Sequence, residues 1–327
     1  ELDEVRGMIG DFWKVGKILR AERFRAGSLD LEMKEIKIYC DKDGWADRTE
    51  VVQHDESHQL IEEFMLLANE SVATALDKAS IPHVNRVHDD PDPEKLAALR
   101  EELAGNGFKV GDLTHRSEMV KLLASLKDRE DGYTIRIQLL RSLKQACYRP
   151  SPDGHFGLAK RHYSHFTSPI RRYSDLLEHR IFDAFIQKQG VRSAPKEPLR
   201  SPGLSELTRS CEHISITERN SSEAERDSVK IKLLELFERE AARPDKRPFE
   251  ATITDVKPHG LMVELNASQA YGLVHMSTLT DDYYRLNDRG NMLVGSRTGR
   301  KFMPGGVIQV TVDRVDRFKR QVDFRLY

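Results

Sequence analysis

The chain has 327 residues, of which 39% are hydrophobic and 32% charged, and its formal net charge is −1. That length allows two or three domains with sizeable cores. The balanced charge excludes a polycation that holds nucleic acid by bulk charge, so any such contact needs a local basic patch. No run of about 18 apolar residues occurs, so no membrane-spanning helix is expected.

In chain order, Ile9, Phe12, Val15, Ile18 and Leu19 predict a helix over residues 1–23. Residues 36–54 read as short strands around the turn Asp41-Lys42-Asp43-Gly44. A strong helix is expected over 58–79, with Ile61, Phe64, Met65, Ala68, Val72 and Leu76 as its apolar stripe. The turn Asp89-Asp90-Pro91-Asp92-Pro93 leads into a helix over 94–104, and a further helix is expected over 134–148. A short strand at 155–159 precedes a helix expected to start at Ser168 and run to about residue 189. A Pro-containing connector at 190–203 is followed by a long helix over 205–241. The composition changes at Arg243-Pro244-Asp245-Lys246-Arg247-Pro248, so domain boundaries are expected at 1–242 and 249–327, with 243–248 as linker. Beyond it, alternating Val-rich segments with Gly turns predict a small Greek-key barrel of the OB class. The fold class is therefore α+β, a mixed helix and sheet body followed by an all-β barrel.

Cys40, Cys147 and Cys211 are widely spaced and odd in number, so neither a zinc site nor a disulfide framework is expected. Free thiols fit a cytoplasmic location. The opening ELDEVRG lacks signal-peptide character and an initiator Met, and the chain is expected to begin inside a longer one.

The most informative segment is YSHFTSPIRRYSDLLEHR, Tyr163 to Arg180. Ser168 is a good N-cap and Pro169 suits the first helical position. Such a start points backbone N–H groups at an anion. Arg171 and Arg172 then oppose the helix macrodipole by about 0.3–1 kcal/mol each, a penalty that a bound phosphate would reverse. The bland alternative pairs them with carboxylates, Arg171 with Asp175 above all. Glu62 and Asn69 lie seven residues apart on one helix face and suit ribose hydroxyls, or simply a solvated face. Arg141, Lys144 and Tyr148 are expected on one face of the 134–148 helix, a pattern that fits a phosphate backbone with a stacked base. His88, Asp89, Asp90 and Asp92 read better as a turn than as a metal site.

Taken in order, these segments resemble the ribonuclease II/ribonuclease R (RNB) family, its ribonuclease R branch in particular. The resemblance rests on LIEEFMLLAN, RVHDDP, LLRSLKQACY, HFGLA, the Tyr163 to Arg180 segment and ERNSSEAERD. GLVHMSTLTDDYYRL is similar to the family's S1 domain. The resemblance implies a processive 3′-to-5′ exoribonuclease that hydrolyses single-stranded RNA to nucleoside 5′-monophosphates, with Mg2+ activating water. It implies a phosphate contact near the scissile bond for Arg171. Tyr163, Ser168 and Arg172 of the same motif, with Arg141 and Lys144, are expected at the RNA. Glu62 is expected at ribose, Asn69 at the RNA, and Glu225 near the terminal nucleotides.

Three departures follow from that resemblance. The family's Asp-rich metal-binding run, of the form D-x-x-D-x-D-D, is not in this sequence, so the metal ligands are expected upstream. The base-clamp aromatic falls at Leu31. The barrel carries Gly260-Leu261-Met262-Val263 where an aromatic often follows the glycine. RNA contact by the barrel is therefore expected to rest on Tyr271, His275, Tyr283, Tyr284 and Arg285.

Overall fold

The computed structural model describes residues 2–31, 35–52, 54–105, 107–126, 129, 132–191, 201–287 and 290–327. The first half of the chain contains α1 (Leu2–Arg25), β1 (Glu35–Cys40), β2 (Ala46–Val52), α2 (Glu56–Lys78), β3 (Asn85–Val87), α3 (Pro93–Gly105), α4 (Arg116–Ser125), α5 (Gly132–Ser142) and β4 (Cys147–Arg149). There follow α6 (Tyr173–Lys188), α7 (Leu204–Ala242), β5 (Phe249–Lys257), β6 (Gly260–Leu265), β7 (Tyr271–His275), β8 (Tyr284–Leu286), β9 (Leu293–Gly295), β10 (Lys301–Phe302), β11 (Val307–Asp316) and β12 (Gln321–Leu326). Among the described residues no helix is long and apolar enough to cross a membrane.

Two compact units form. One comprises Glu1–Leu31, His54–Ala124 and Leu139–Ser221, the other Glu32–Gln53, Ser125–Gln138 and Ser222–Tyr327. The expected α+β class holds, with a closed barrel of strand order β11-β12-β7-β6-β5. All its pairings are antiparallel except β12 with β7. Gly272 permits that parallel pairing, because a Cβ there would lie 2.2 Å from the Val322 carbonyl oxygen. Residues 243–248 form neither helix nor strand. Upstream of them, Leu234 and Phe237 of α7 join the barrel core with Ile253, Val310 and Phe324. Burying each such side chain contributes about 1.5–3 kcal/mol. The barrel core therefore begins inside α7.

In the other unit, α2, α6 and the first half of α7 close over a core of Leu76, Val84, Tyr148, Ile181 and Leu207. The helix α2 starts at Glu56 because Asp55 caps it, accepting from the backbone N–H groups of Ser57 and His58. Its buried face shares Val72 and Leu76 with the expected stripe and otherwise differs from it. Glu63 and Asn69 are buried on it with Leu66, Val72, Ala73 and Leu76, while Ile61 is 59% exposed. The expected hairpin is β1–β2, closed at Gly44 (φ 82°), with the Asp41 carboxylate accepting from Asp43 and Trp45 N–H groups.

Three expected elements are corrected, the first being the short strand at 155–159, which is a turn closed by the Ala159 N–H on the Phe156 carbonyl with only isolated bridges at His155. The helix expected over 134–148 ends at Ser142, and Tyr148 lies on β4, paired with Arg86 of β3. Pro150 holds Arg149 in extended backbone, and pairing with β3 keeps Cys147 and Tyr148 in the same strand. The helix expected from Ser168 begins at Tyr173, with Arg172 as an extended N-cap that makes no side-chain cap bond.

Candidate nucleic-acid interface

Residues 155–172 form an irregular segment fixed from several sides. Its backbone is held at Gly157, whose carbonyl accepts from Leu29 N at 2.9 Å, and whose N–H donates to His88 Nδ1 at 3.1 Å. Arg116 donates to the Phe156 carbonyl at 2.7 Å, and the Phe166 N–H donates to Asn69 Oδ1 at 3.0 Å. The segment ends in a turn at Ser168 to Arg171, where the Ser168 carbonyl accepts from both Arg171 N and Arg172 N.

One carboxylate locks that turn to α6. Asp175 is fully buried and accepts from Ser168 N at 2.8 Å, Arg172 Nη2 at 2.7 Å and Ser174 Oγ at 2.9 Å. Ser168 thus receives a cap from α6 instead of capping it. The Asp175 partner is Arg172, not Arg171 as the bland sequence reading had it. Arg171 is exposed, beside a fully exposed Ile170, and its side chain has no ion-pair partner among the described residues. Two buried polar atoms flanking the turn, Thr167 Oγ1 and Arg172 Nε, have no hydrogen-bond partner among the described residues.

Behind the turn sits a layer of aromatic and imidazole rings. Tyr148, Tyr163 and His155 surround His165 edge-on or through one another, with ring centroids 5.4–5.8 Å apart. The Tyr148 hydroxyl lies 2.8 Å from His165 Nδ1, and Asn69 Nδ2 donates to the Tyr163 hydroxyl at 3.2 Å. Burial pushes the His165 imidazole down to about 2, assisted by the guanidinium groups of Arg172, Arg86 and Arg171. Burial likewise takes His155 down to about 3, with His88 and Arg86 adding to it. Both rings are therefore neutral, and the positive charge of this region resides on its arginines. Arg86 pairs with Glu218 at 2.6 Å and lies over the Tyr148 ring. Arg172 pairs with Asp175, which leaves the Arg171 charge uncompensated.

The remaining expected residues fall in different settings. Glu62 is half exposed, 3.5 Å from Arg23 and 3.7 Å from Arg20. Asn69 and Tyr163 are buried supports of the fixed segment. Arg141 and Lys144 are exposed, but they do not share a helical face with Tyr148, which is buried on β4. In the barrel unit, Glu225 is exposed on α7. Tyr271 and Tyr283 are exposed, His275 bonds Ser277, and Arg285 lies over the Tyr283 ring. Tyr284 is buried against Phe302, with its hydroxyl donating to Asp281 at 2.9 Å.

Spacing alone gave no sign of several supporting pairs. Arg23 and Glu63 form a buried ion pair 40 residues apart in sequence, and Arg86 and Glu218 pair across 132 residues. A capping reading of Asp175 at the third position of α6 was available, but required the true helix start. The Asp-rich turn does not fit a metal: Asp89 is held bidentate by Arg149, and Asp92 accepts from Glu94 N. Among the described residues no group of three or more His, Cys, Asp or Glu is arranged to hold a metal ion.

Residues 3–188 match the RNB domain, and residues 246–326 match the S1 RNA binding domain. Ribonuclease R of Thermotoga maritima is 36% identical over all of this chain and 45% of its own length. Ribonuclease R of Escherichia coli (strain K12) is 35% identical over 95% of this chain and 38% of its own length. The chain thus spans less than half the length of these curated relatives. Mycoplasma genitalium RNase R, solved in complex with ribose-methylated single-stranded RNA, superposes with a TM-score of 0.82 at 25% identity, over 99% of this chain and 50% of that one. With both domains matched in order and the fold shared along its length, the chain belongs to the ribonuclease II/ribonuclease R (RNB) family of exoribonucleases, and carries RNB-domain sequence followed by an S1 domain.

Proposed function

We propose that this chain is the RNA-holding part of a processive 3′-to-5′ exoribonuclease that hydrolyses single-stranded RNA to nucleoside 5′-monophosphates. The observation that carries the proposal is Arg171, an exposed guanidinium without a carboxylate partner among the described residues, at a turn that Asp175 locks in place. A guanidinium so held meets a phosphate with little reorganisation, and stabilises the charge that develops on its oxygens during hydrolysis. Glu62 is assigned to ribose and Glu225 to the terminal nucleotides. Tyr271, His275, Tyr283 and Arg285 grip the single strand through stacking and charge. In the complete enzyme, Mg2+ would supply the activated water and is assigned to ligands outside this chain.

The lack of a metal-holding group among the described residues also favours a second reading, a catalytically inactive RNA-binding module. Incubating the chain with magnesium and 5′-labelled single-stranded RNA tests the division of labour. The expected result is RNA bound and left intact. Ladder-like shortening by the chain alone would contradict it. An Asp-rich segment encoded in frame immediately upstream would decide for the nuclease, and a stop codon there for the module.

A further inference from the structure

A cleft of about 450 Å3 lies within the barrel unit, between α7 and the β6, β7 and β12 edges of the barrel. Its volume is within the range of small-molecule sites. Four cations line it: Arg226 and Lys230 from α7, and Lys319 and Arg320 from the β11–β12 turn. Arg320 pairs with Asp227 at 2.7 Å. Arg226, Lys230 and Lys319 have no ion-pair partner among the described residues. Arg226 and Lys230 are also four apart on one helix, a like-charge spacing that disfavours the helix unless an anion sits between them. The floor is apolar, built from the buried Leu234, Ala270 and Val322, and the half-exposed ring of Tyr271 stands at its edge.

Backbone strain is concentrated at the same place. The described non-glycine residues in the left-handed region are Ser80, Ala159, Gln269 and Arg320. Two of them, Gln269 (φ 49°) and Arg320 (φ 51°), line this cleft. Strain of this kind persists where the surroundings fix it, and it gathers at ligand sites. The β11–β12 turn is pinned to α7 by two ion pairs, Arg317 with Glu238 and Arg320 with Asp227. These pairs anchor α7 at Asp227 and Glu238, on either side of the lining residues Val229, Lys230, Leu233 and Leu234.

We propose that this cleft is a binding site for a free nucleoside monophosphate, its phosphate held by Lys230, Lys319 and Arg226 and its base laid on the apolar floor against Tyr271. A flat aromatic group and an anion on one small molecule match the two halves of the lining. An acidic peptide would satisfy the cations and leave the floor without a flat partner. In an exoribonuclease such a ligand is a reaction product, so occupancy would couple nucleotide concentration to the barrel unit.

The test is calorimetric titration of the full chain with adenosine 5′-monophosphate, inorganic phosphate and a short single-stranded oligoribonucleotide. Saturable binding of the monophosphate is expected. Lys230→Glu with Lys319→Glu should weaken it by about tenfold or more, and Lys95→Glu, an exposed cation on α3 in the other unit, should leave it unchanged. If the double variant fails to fold, Lys319→Ala alone carries the test, with a several-fold loss expected. Absence of monophosphate binding, or insensitivity to the lysine variants, would overturn the site. Equal binding of inorganic phosphate would overturn the base half. An oligoribonucleotide weakened by the lysine variants, with no monophosphate binding, would assign the cleft to the RNA track instead. The Arg171 reading would fail separately, on RNA binding by Arg171→Ala.

Discussion

Replacing Asp175 by Ala should unlock the turn that presents Arg171. The carboxylate is fully buried and accepts from three donors within 2.9 Å. Hydrogen bonds to a charged group contribute about 1.5–3 kcal/mol each, but their sum overstates the loss because the partners relax. Breaking a buried ion pair by removing one partner costs about 3–5 kcal/mol. Arg172 retains 21% side-chain exposure and recovers some hydration, which puts the expected loss at the lower end, about 3 kcal/mol. Trp13 lies in the same unit as Asp175, and Trp45 in the other. In a Trp45→Phe background, Trp13 fluorescence therefore reports the relevant unit. With a urea slope of about 2 kcal/mol per M, the midpoint should fall by about 1.5 M. Asp175→Asn, which keeps one acceptor, should lose less. A midpoint shift below about 0.3 M for Asp175→Ala would refute the locking role.

Three further outcomes follow from the same geometry. His165 and His155 stay unprotonated in the folded chain to about 2 and about 3, whereas unfolded histidine takes up a proton below about 6.5. The unfolded state then binds more protons, so stability should fall as pH drops below about 6.5, by up to ~1.4 kcal/mol per pH unit for each ring. His83 works the other way: burial alone would lower its pKa, but Glu178 and Asp77 outweigh burial and raise it. Its contribution is present below the unfolded value and is lost as pH rises through the folded one. His165→Gln should flatten the dependence of the urea midpoint between pH 7 and 5, and an unchanged dependence would count against a neutral buried ring. Gly272→Ala drives a Cβ to 2.2 Å from the Val322 oxygen and should destabilise the barrel by about 1–3 kcal/mol. Trp45 emission in a Trp13→Phe background follows that melt, and an unshifted midpoint would mean that β7 and β12 can separate without loss. Tyr283 is 70% exposed, so Tyr283→Ala should leave stability within about 0.5 kcal/mol while weakening single-stranded RNA binding by about 1–3 kcal/mol. Unaltered affinity in a filter-binding assay would remove it from the interface.

Strong periodicity and turn chemistry made much of the fold legible. The α2 and α7 helices, the β1–β2 hairpin and the five-stranded barrel all carry patterns that local physics reads well. The failures cluster around the interface. Tyr148 looks helical because Leu139 to Ala146 are mostly good helix formers, yet Pro150 and the pairing with β3 pull it into a strand. Ser168-Pro169 has the chemistry of a helix start, but the buried Asp175 holds that segment as a separate turn and moves the start to Tyr173. Residues 155–172 have no period to detect. Their conformation is set by remote partners such as Asn69, His88 and Arg116, which only the folded chain brings within reach. Glu62 and Asn69 share a face by spacing, yet one meets solvent and the other is buried, because the fixed segment covers only one end of α2.

The central claim is that Arg171 meets an RNA phosphate, and the salt dependence of single-stranded RNA affinity tests it most directly. Each phosphate neutralised on a single strand contributes about 0.7 to the slope of log affinity against log salt. Arg171→Ala should flatten the slope of the chain by about that amount, with folding stability unchanged within about 0.5 kcal/mol. A slope identical to that of the unmodified chain would contradict the account.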